Sequence, residues 1–325
     1  MEVGSITYYS IGPRLLELLA RVHEKLGQVH ARHLHLSPAE AEKAYRISTV
    51  RSTIALEGGD IDPLSLAQLT MSPGSATAGP EHLEAINTYR IHEMLPDLDP
   101  FMDQDLRRAQ SIMMHGLAMD AGHYRTGPME VFYGDPMPLR TAPFKGLNVA
   151  VQELLAFAEE DDFPKLITSC LLHFGIIYLR PFSAGNGRLA RLWQRRMLMS
   201  TWPVFAYLPV EAFISQTAPA YHAALEYADR RGDCGGFIVY LLERMDEALT
   251  EVLSLPDPMR TGTERVAIYL VQAGGRPFRR KDYLSGYPEL STATATRDLQ
   301  EAVANGRLHI KGTGRGAIYS TIPVA

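Results

Sequence analysis

The stretch RPFSAGNGRLAR at 180–191 holds the densest set of groups able to do chemistry. Gly185-Asn186-Gly187 is a turn feeding a helix start, so several backbone N–H groups without helical partners surround one concavity. The helix dipole adds partial positive charge there. Arg188 and Arg191, three apart, share one helix face and add full charges. Such a cradle holds a phosphate chain. On spacing alone, an ordinary helix–helix turn with solvated arginines fits as well. Elsewhere the chain shows no HExxH, CxxC or EF-hand pattern, so no protein-bound transition metal is expected. Cys170 and Cys234 sit in apolar helical surroundings and read as reduced core thiols.

Helices must position this loop. Residues 164–179 are almost wholly apolar, the mark of a central core helix, and a second helix runs from about Gly187 to Met199. Apolar spacing predicts a helix over 13–34, and Ser37-Pro38-Ala39-Glu40 opens another that stops at Gly58-Gly59. Further helices are expected at about 80–95, 103–119, 144–159, 215–230 and 234–254. Alternation at Met129, Val131 and Tyr133 around Gly134-Asp135-Pro136 predicts a short exposed hairpin, the flap of residues 129–140.

The chain has 325 residues, 46% of them hydrophobic and 21% charged, which excludes a disordered protein. No secretory signal opens it and no apolar run is long enough to span a membrane, so a cytoplasmic protein without a membrane partner is expected. The net charge of −5 hides an asymmetry: residues 259–325 carry ten basic and five acidic side chains, leaving −10 for the rest. That sign change, just after Leu255-Pro256-Asp257-Pro258, predicts two domains with different partners.

The loop resembles the Fic (Fido) family motif, HPFx(D/E)GNGRxxR. Pro181, Phe182, Gly185, Asn186, Gly187, Arg188 and Arg191 match, and Ser183 fills the free position. The likeness extends over roughly 40–255: Gly122-His123-Tyr124-Arg125 before the flap, His173 seven residues ahead of the loop, and YHAALEYADRRGD at 221–233. Thr53-Ile54-Ala55-Leu56-Glu57-Gly58 is similar to the family's inhibitory-helix pattern, (S/T)xxxE(G/N). The resemblance implies a mainly α, Fic-type helical core with a β-hairpin flap that binds ATP and moves AMP onto a hydroxyl of a target protein docked at the flap. It implies a nucleotide site at Ser183, Gly185, Asn186, Gly187, Arg188 and Arg191, with Arg191 on the γ-phosphate. It also implies inhibition by Thr53, Glu57 and Gly58, through a Glu57–Arg191 ion pair. A solvated acid is the plain alternative for Glu57.

Two positions depart from the pattern. Arg180 occupies the place of the general-base histidine, and a guanidinium stays protonated and offers no acceptor. Ala184 occupies the place of the acid that holds magnesium, and its methyl group has no oxygen for a hard cation. The catalytic residue is therefore unknown, Mg²⁺ is doubtful, and transfer is expected to be absent or impaired. His173 reads mainly as a core residue and secondarily as a substitute base, and His123 beside the flap is a further candidate. Arg180 as a phosphate ligand, giving a nucleotide sensor without turnover, is the favoured explanation.

In the basic tail, helices are expected over 262–274, 279–286 and from Ser291 to Asn305-Gly306, followed by a strand, a GTGRG turn and a strand over 307–321. This order resembles the C-terminal winged helix-turn-helix domains attached to many Fic proteins. Thr292, Thr294 and Arg297 open the third helix, and Lys311 and Arg315 flank the turn, a set suited to duplex DNA. Asp282, Asp298 and Glu301 lie among them, and a protein-docking or dimer module is the alternative. The expected organisation is N-terminal helices over 1–80, including an inhibitory helix at about 38–57, a Fic core over 81–255, a linker over 256–261 and a winged helix over 262–325. Two functions stay open: an autoinhibited, impaired protein adenylyltransferase, or a DNA-binding transcriptional regulator whose core is a nucleotide sensor or homodimer scaffold.

Overall fold

The first helix shows how this sequence builds its core. In α1 (Pro13–Ala31), Leu15, Leu18, Val22, Leu26 and Val29 recur every three or four residues and are all buried, and Pro13 sits at the first turn, where no N–H is needed. The computed structural model describes residues 9–32, 39–62, 65–67, 79–130, 142–160, 163–254, 261–274, 276–287 and 290–321. It divides into two compact units, Met1–Ser254 and Leu255–Ala325. The linker expected over 256–261 lies outside the described residues except for its last position.

In the first unit α1 is followed by α2 (Ala39–Ala55), α3 (Pro80–Met94), α4 (Asp103–Met113), α5 (Leu147–Glu159), α6 (Lys165–Leu179), α7 (Asn186–Met199), α8 (Val210–Gln216), α9 (Ala218–Arg231) and α10 (Gly235–Ser254). Among the described residues of this unit there is no strand. Helix α6 is buried on nearly every side, packed against α5, α7 and α10, while α1 lies along α10. Helix α2 packs on α3, α7 and α8. Its residues Val50 and Ile54 join Ile61, Leu66, Ala85 and Tyr89 in a small cluster separate from the main core.

One expectation needs correction, and another lies outside the described residues. The helix expected over 215–230 starts at Ala218, and the short α8 before it was not expected; Thr217 separates the two, because Pro219 has no N–H to continue the α8 ladder. The hairpin flap falls largely outside the described residues: 131–141 are not described, and 127–130 form no regular element.

In the second unit, α11 (Gly262–Ala273), β1 (Phe278–Arg279), α12 (Arg280–Gly286), α13 (Thr292–Ala304), β2 (Leu308–Lys311) and β3 (Ile318–Thr321) follow in order. The antiparallel sheet has the order β1-β3-β2, with Leu308 opposite Thr321 and Phe278 opposite Tyr319. Strand β1 was not expected; two residues are too few to show alternation. The Ser291 hydroxyl caps α13 by accepting from the Thr294 N–H at 3.0 Å. No described helix is long and apolar enough to cross a membrane.

Candidate functional site

The loop between α6 and α7 is shaped by its own residues. Helix α6 ends at Arg180, whose φ of 41° is left-handed, an uncommon conformation for a side chain other than glycine. Arg125 holds it there. The Arg125 guanidinium donates to the carbonyls of Arg180 (2.7 Å), Leu179, Ala142 and Gly127, and its backbone N–H donates to Pro181. One buried side chain thus ties the end of α6 to both stretches that flank the undescribed flap residues. Asn186 then closes the loop on itself: its Oδ1 accepts from the Phe182 N–H at 3.0 Å and its Nδ2 donates to the Phe182 carbonyl at 2.8 Å.

Gly185 begins α7 with φ 76°, and a Cβ there would lie 2.8 Å from the Met114 sulfur, so only glycine fits. No side chain of Gly185 caps the helix, which leaves its N-terminal N–H groups facing the concavity. Gly187 has a different constraint. A Cβ on it would stand 2.3 Å from Glu57 Oε1. The Glu57 carboxylate therefore lies directly against the Gly-Asn-Gly turn, where an anion is held.

Glu57 reaches this place from the end of α2, through Arg191. The Arg191 guanidinium donates to Thr53 Oγ1 (2.8 Å), the Thr53 carbonyl (3.1 Å) and Glu57 Oε1 (2.8 Å). Burial pushes the Glu57 carboxyl up, but the charge and hydrogen bond of Arg191, then the charges of Arg188 and Arg180, outweigh it and hold the group below its usual range. The turn at Gly58, with φ 85°, ends the segment.

Arg188, also buried, meets a second acid. Its Nη1 lies 2.6 Å from Oε1 of Glu84 on α3, and its Nη2 lies 3.4 Å from the Met114 sulfur. Its Nε is buried with no hydrogen-bond partner among the described residues. On the other flank, the Ser183 hydroxyl donates to Asp120 Oδ1 at 2.6 Å, and Gln110 donates to the Ala184 carbonyl at 3.2 Å.

His173 is fully buried and does not reach the cradle. Its Nδ1 donates to Gln194 Oε1 at 2.7 Å, and its Nε2 accepts from the Tyr221 hydroxyl at 2.9 Å. The Tyr221 hydroxyl in turn favours the charged form of Arg191. Burial pushes the imidazole down to about 3, so it stays neutral and holds the tautomer this chain requires. Its place is behind Arg191, as a support for that side chain. Cys170 and Cys234 are buried free thiols; burial pushes both up to about 12, so neither is a nucleophile.

Residues 100–198 match the Fic/DOC family, and they contain this loop, α4 to α6 and α7 up to its last residue. They form a Fic/DOC domain. The chain is similar to a protein adenylyltransferase Fic of Nematostella vectensis, at 22% identity over 260 residues, 77% of this chain and 58% of that protein. It thus spans less than two thirds of that relative's length. A Fic family protein from Desulfovibrio desulfuricans G20 shares the fold over 98% of both chains, with a TM-score of 0.70 and 24% identity. Residues 134–508 of Fic-1 from C. elegans align with a TM-score of 0.61 over 74% of this chain and 72% of that one, at 18% identity. The fold is therefore the mainly α Fic fold.

Within this Fic domain the structure brings together Ser183, Gly185, Asn186, Gly187, Arg188 and Arg191, and brings Thr53 and Glu57 to them across more than 130 positions of sequence. Sequence reading missed Glu84, Gln110, Asp120 and the tie made by Arg125. Arg125 had a signal in the GHYR match; the others had none. In the second unit, Thr292, Arg297 and Lys311 are exposed and Thr294 is half-buried, while the side chain of Arg315 lies outside the described residues. Of the three acids expected near that face, two are otherwise engaged. Asp298 is buried against Arg265 (2.8 Å) and the Tyr283 hydroxyl (3.1 Å), and Asp282 accepts from the Arg279 N–H at the start of α12.

Proposed function

We propose that the chain is a Fic-type adenine-nucleotide-binding protein related to protein adenylyltransferases, held closed by Glu57 and impaired in AMP transfer. The observation that carries this reading is the Glu57 carboxylate, seated against Gly187 and paired with Arg191 at 2.8 Å. A carboxylate in that place competes with a phosphate for the same N–H groups and the same guanidinium.

In the open state, the N–H groups at the start of α7 cradle the phosphate chain, Arg191 grips its distal end, and Arg188 adds charge from within the wall. The transfer step would need a base for the hydroxyl of the target protein. Arg180 supplies none, and His173 is buried with both ring nitrogens engaged. General-base catalysis typically contributes ~10²–10⁴-fold, and that factor is missing. The residues present do not fit magnesium in the family's manner, because Ala184 offers only a methyl group and Glu57 and Glu84 are each paired with an arginine.

Calorimetric titration of the chain and of Glu57→Gly with ATP tests this reading. Binding that appears or tightens in Glu57→Gly, with no transfer of label from α-labelled ATP to protein, is expected. No adenine nucleotide binding in either form would refute it, and labelled protein from Glu57→Gly would refute the impairment.

A second reading concerns the second unit, which we propose to be a winged helix that contacts duplex DNA and makes the chain a cytoplasmic regulator. Exposed Thr292, Arg297 and Lys311, with Asp298 and Asp282 turned to structural duties, support it. A salt-sensitive mobility shift by the full chain, weakened in Arg297→Ala and Lys311→Ala, is the expected result.

A further inference from the structure

We infer that Glu84 on α3 is a second internal counter-anion of the cradle: it occupies Arg188 as Glu57 occupies Arg191, and a phosphate chain gains Arg188 only when Glu84 gives it up. This rests on the preceding section only in placing a phosphate chain in that cradle.

Contacts fix the place of the Arg188 guanidinium. Its Nη2 lies 3.4 Å from the Met114 sulfur, the atom that a Cβ on Gly185 would meet at 2.8 Å, so it stands beside the start of the Gly185-Asn186-Gly187 turn. Its Nη1 lies 2.6 Å from Glu84 Oε1. The other Glu84 oxygen, Oε2, is 3.7 Å from where a Cβ on Gly59 would stand. Gly59 follows Glu57 by two positions, and its N–H donates to the Ile54 carbonyl in the turn that ends α2. Glu84 therefore lies between the cradle arginine and the turn that carries Glu57.

The pair is close in distance but poorly bonded. Arg188 is 7% exposed, yet neither its Nε nor its Nη1 has a hydrogen-bond partner among the described residues, so the Glu84 oxygen sits near the nitrogen without lying along an N–H. Nη2 has only a thioether, a weak acceptor. Two turns on along α7, Arg195 shows what a structural pair looks like. It is as buried as Arg188, and it donates to both oxygens of Glu211 and to the carbonyls of Phe205 and Leu208. Arg188 instead keeps N–H groups over for an acceptor that the described chain does not provide, and phosphate oxygens are such acceptors. Burial works against its charge, and Glu84 is the first of the groups that offset this. The Glu84 side chain is 22% exposed, so water can receive the carboxylate when it leaves.

The test is calorimetry on the full chain, titrated with tripolyphosphate and with ATP, comparing Glu57→Gly with the same chain carrying Glu84→Gln as well. Glu84→Gln should tighten tripolyphosphate about fivefold or more. Glu81→Gln removes the same charge from an exposed position on α3 and should leave the affinity unchanged. With Arg188→Gln present, the gain from Glu84→Gln should vanish. Glu84→Asp, which withdraws the carboxylate by one methylene, should give part of the gain and serves if Glu84→Gln does not fold; circular dichroism of each variant reports folding. Unchanged or weaker affinity in folded Glu84→Gln or Glu84→Asp overturns the inference, as does an equal gain in Glu81→Gln or a gain that persists without Arg188. If ATP binds Glu57→Gly and Glu84→Gln adds nothing, the inference falls and the adenine-nucleotide reading stands. If Glu84→Gln tightens tripolyphosphate and ATP binds no better than tripolyphosphate, the inference stands and that reading falls. If neither titrant binds any variant, both fall.

Discussion

Replacing Glu57 by glutamine removes the charge of the Glu57–Arg191 pair and keeps its shape, so its effect can be worked from the geometry. Two unit charges 2.8 Å apart attract by roughly 6 kcal/mol at an effective dielectric constant of about 20. Most of that is not realised, because the Glu57 side chain is 36% exposed and water screens it. Exposed pairs are worth ~0–1 kcal/mol and broken buried pairs cost ~3–5 kcal/mol, so a half-buried acid on a buried arginine lies near 1–2 kcal/mol. Arg191 keeps its two bonds to Thr53 throughout. The expected fall in melting temperature is about 2–8 °C for a unit of this size. The same energy no longer opposes an incoming anion, so nucleotide affinity should rise ~5–30-fold. The assay is a thermal melt of wild type and Glu57→Gln across a series of nucleotide concentrations. The two curves should cross, with the variant less stable empty and more strongly stabilised by ligand. Loss of stability without any gain in affinity would refute the latch and leave Glu57 a structural residue.

The Glu57–Arg191 pair has a pH signature. Because Glu57 is held below its ordinary range, its stabilising contribution is full above the usual carboxylate value of about 4.3 and is lost as pH falls through the lower folded value. The stability difference between wild type and Glu57→Gln should therefore be constant from neutral pH down to about 4.3 and shrink below it, as read by urea melts at each pH. Tyr221→Phe removes the hydroxyl between His173 and Arg191, leaving a buried imidazole nitrogen without its donor; we expect ~1–3 kcal/mol of lost stability by urea unfolding. Gly185→Ala forces a Cβ into the Met114 sulfur at a positive φ and should cost ~1–3 kcal/mol in the same measurement. In the second unit, Asp298→Ala removes the carboxylate that Arg265 and the Tyr283 hydroxyl share, and a loss of ~3–5 kcal/mol should show as rapid proteolysis within residues 262–321 while the first unit resists.

Local pattern was readable where the chain's own periodicity carries it. The apolar sweep of α6 and the three-and-four spacing of α1 place those helices within a few residues, since each buried position repeats with the helix turn. Boundaries failed where one residue overrides the pattern, as Pro219 does between α8 and α9. Strand β1 was invisible because pairing with Tyr319 defines it, and two residues show no period of their own.

The sequence by itself determined the family likeness of the loop, the glycines that make a cradle, the absence of a base and an acid at positions 180 and 184, and the candidate latch at Thr53 and Glu57. Each of these is a matter of residue type at fixed short spacing. Only the tertiary structure decided which acid meets which arginine: Glu57 with Arg191, Glu84 with Arg188, and Asp298 inside its own unit rather than on its surface. It also decided that Arg125 ties the loop to both flanks of the flap and that His173 stands behind Arg191. The physical reason is the same in each case. A buried charge is stable only beside a counter-charge or a hydrogen-bond partner, and folding brings that partner from a distant part of the chain, which no local spacing records.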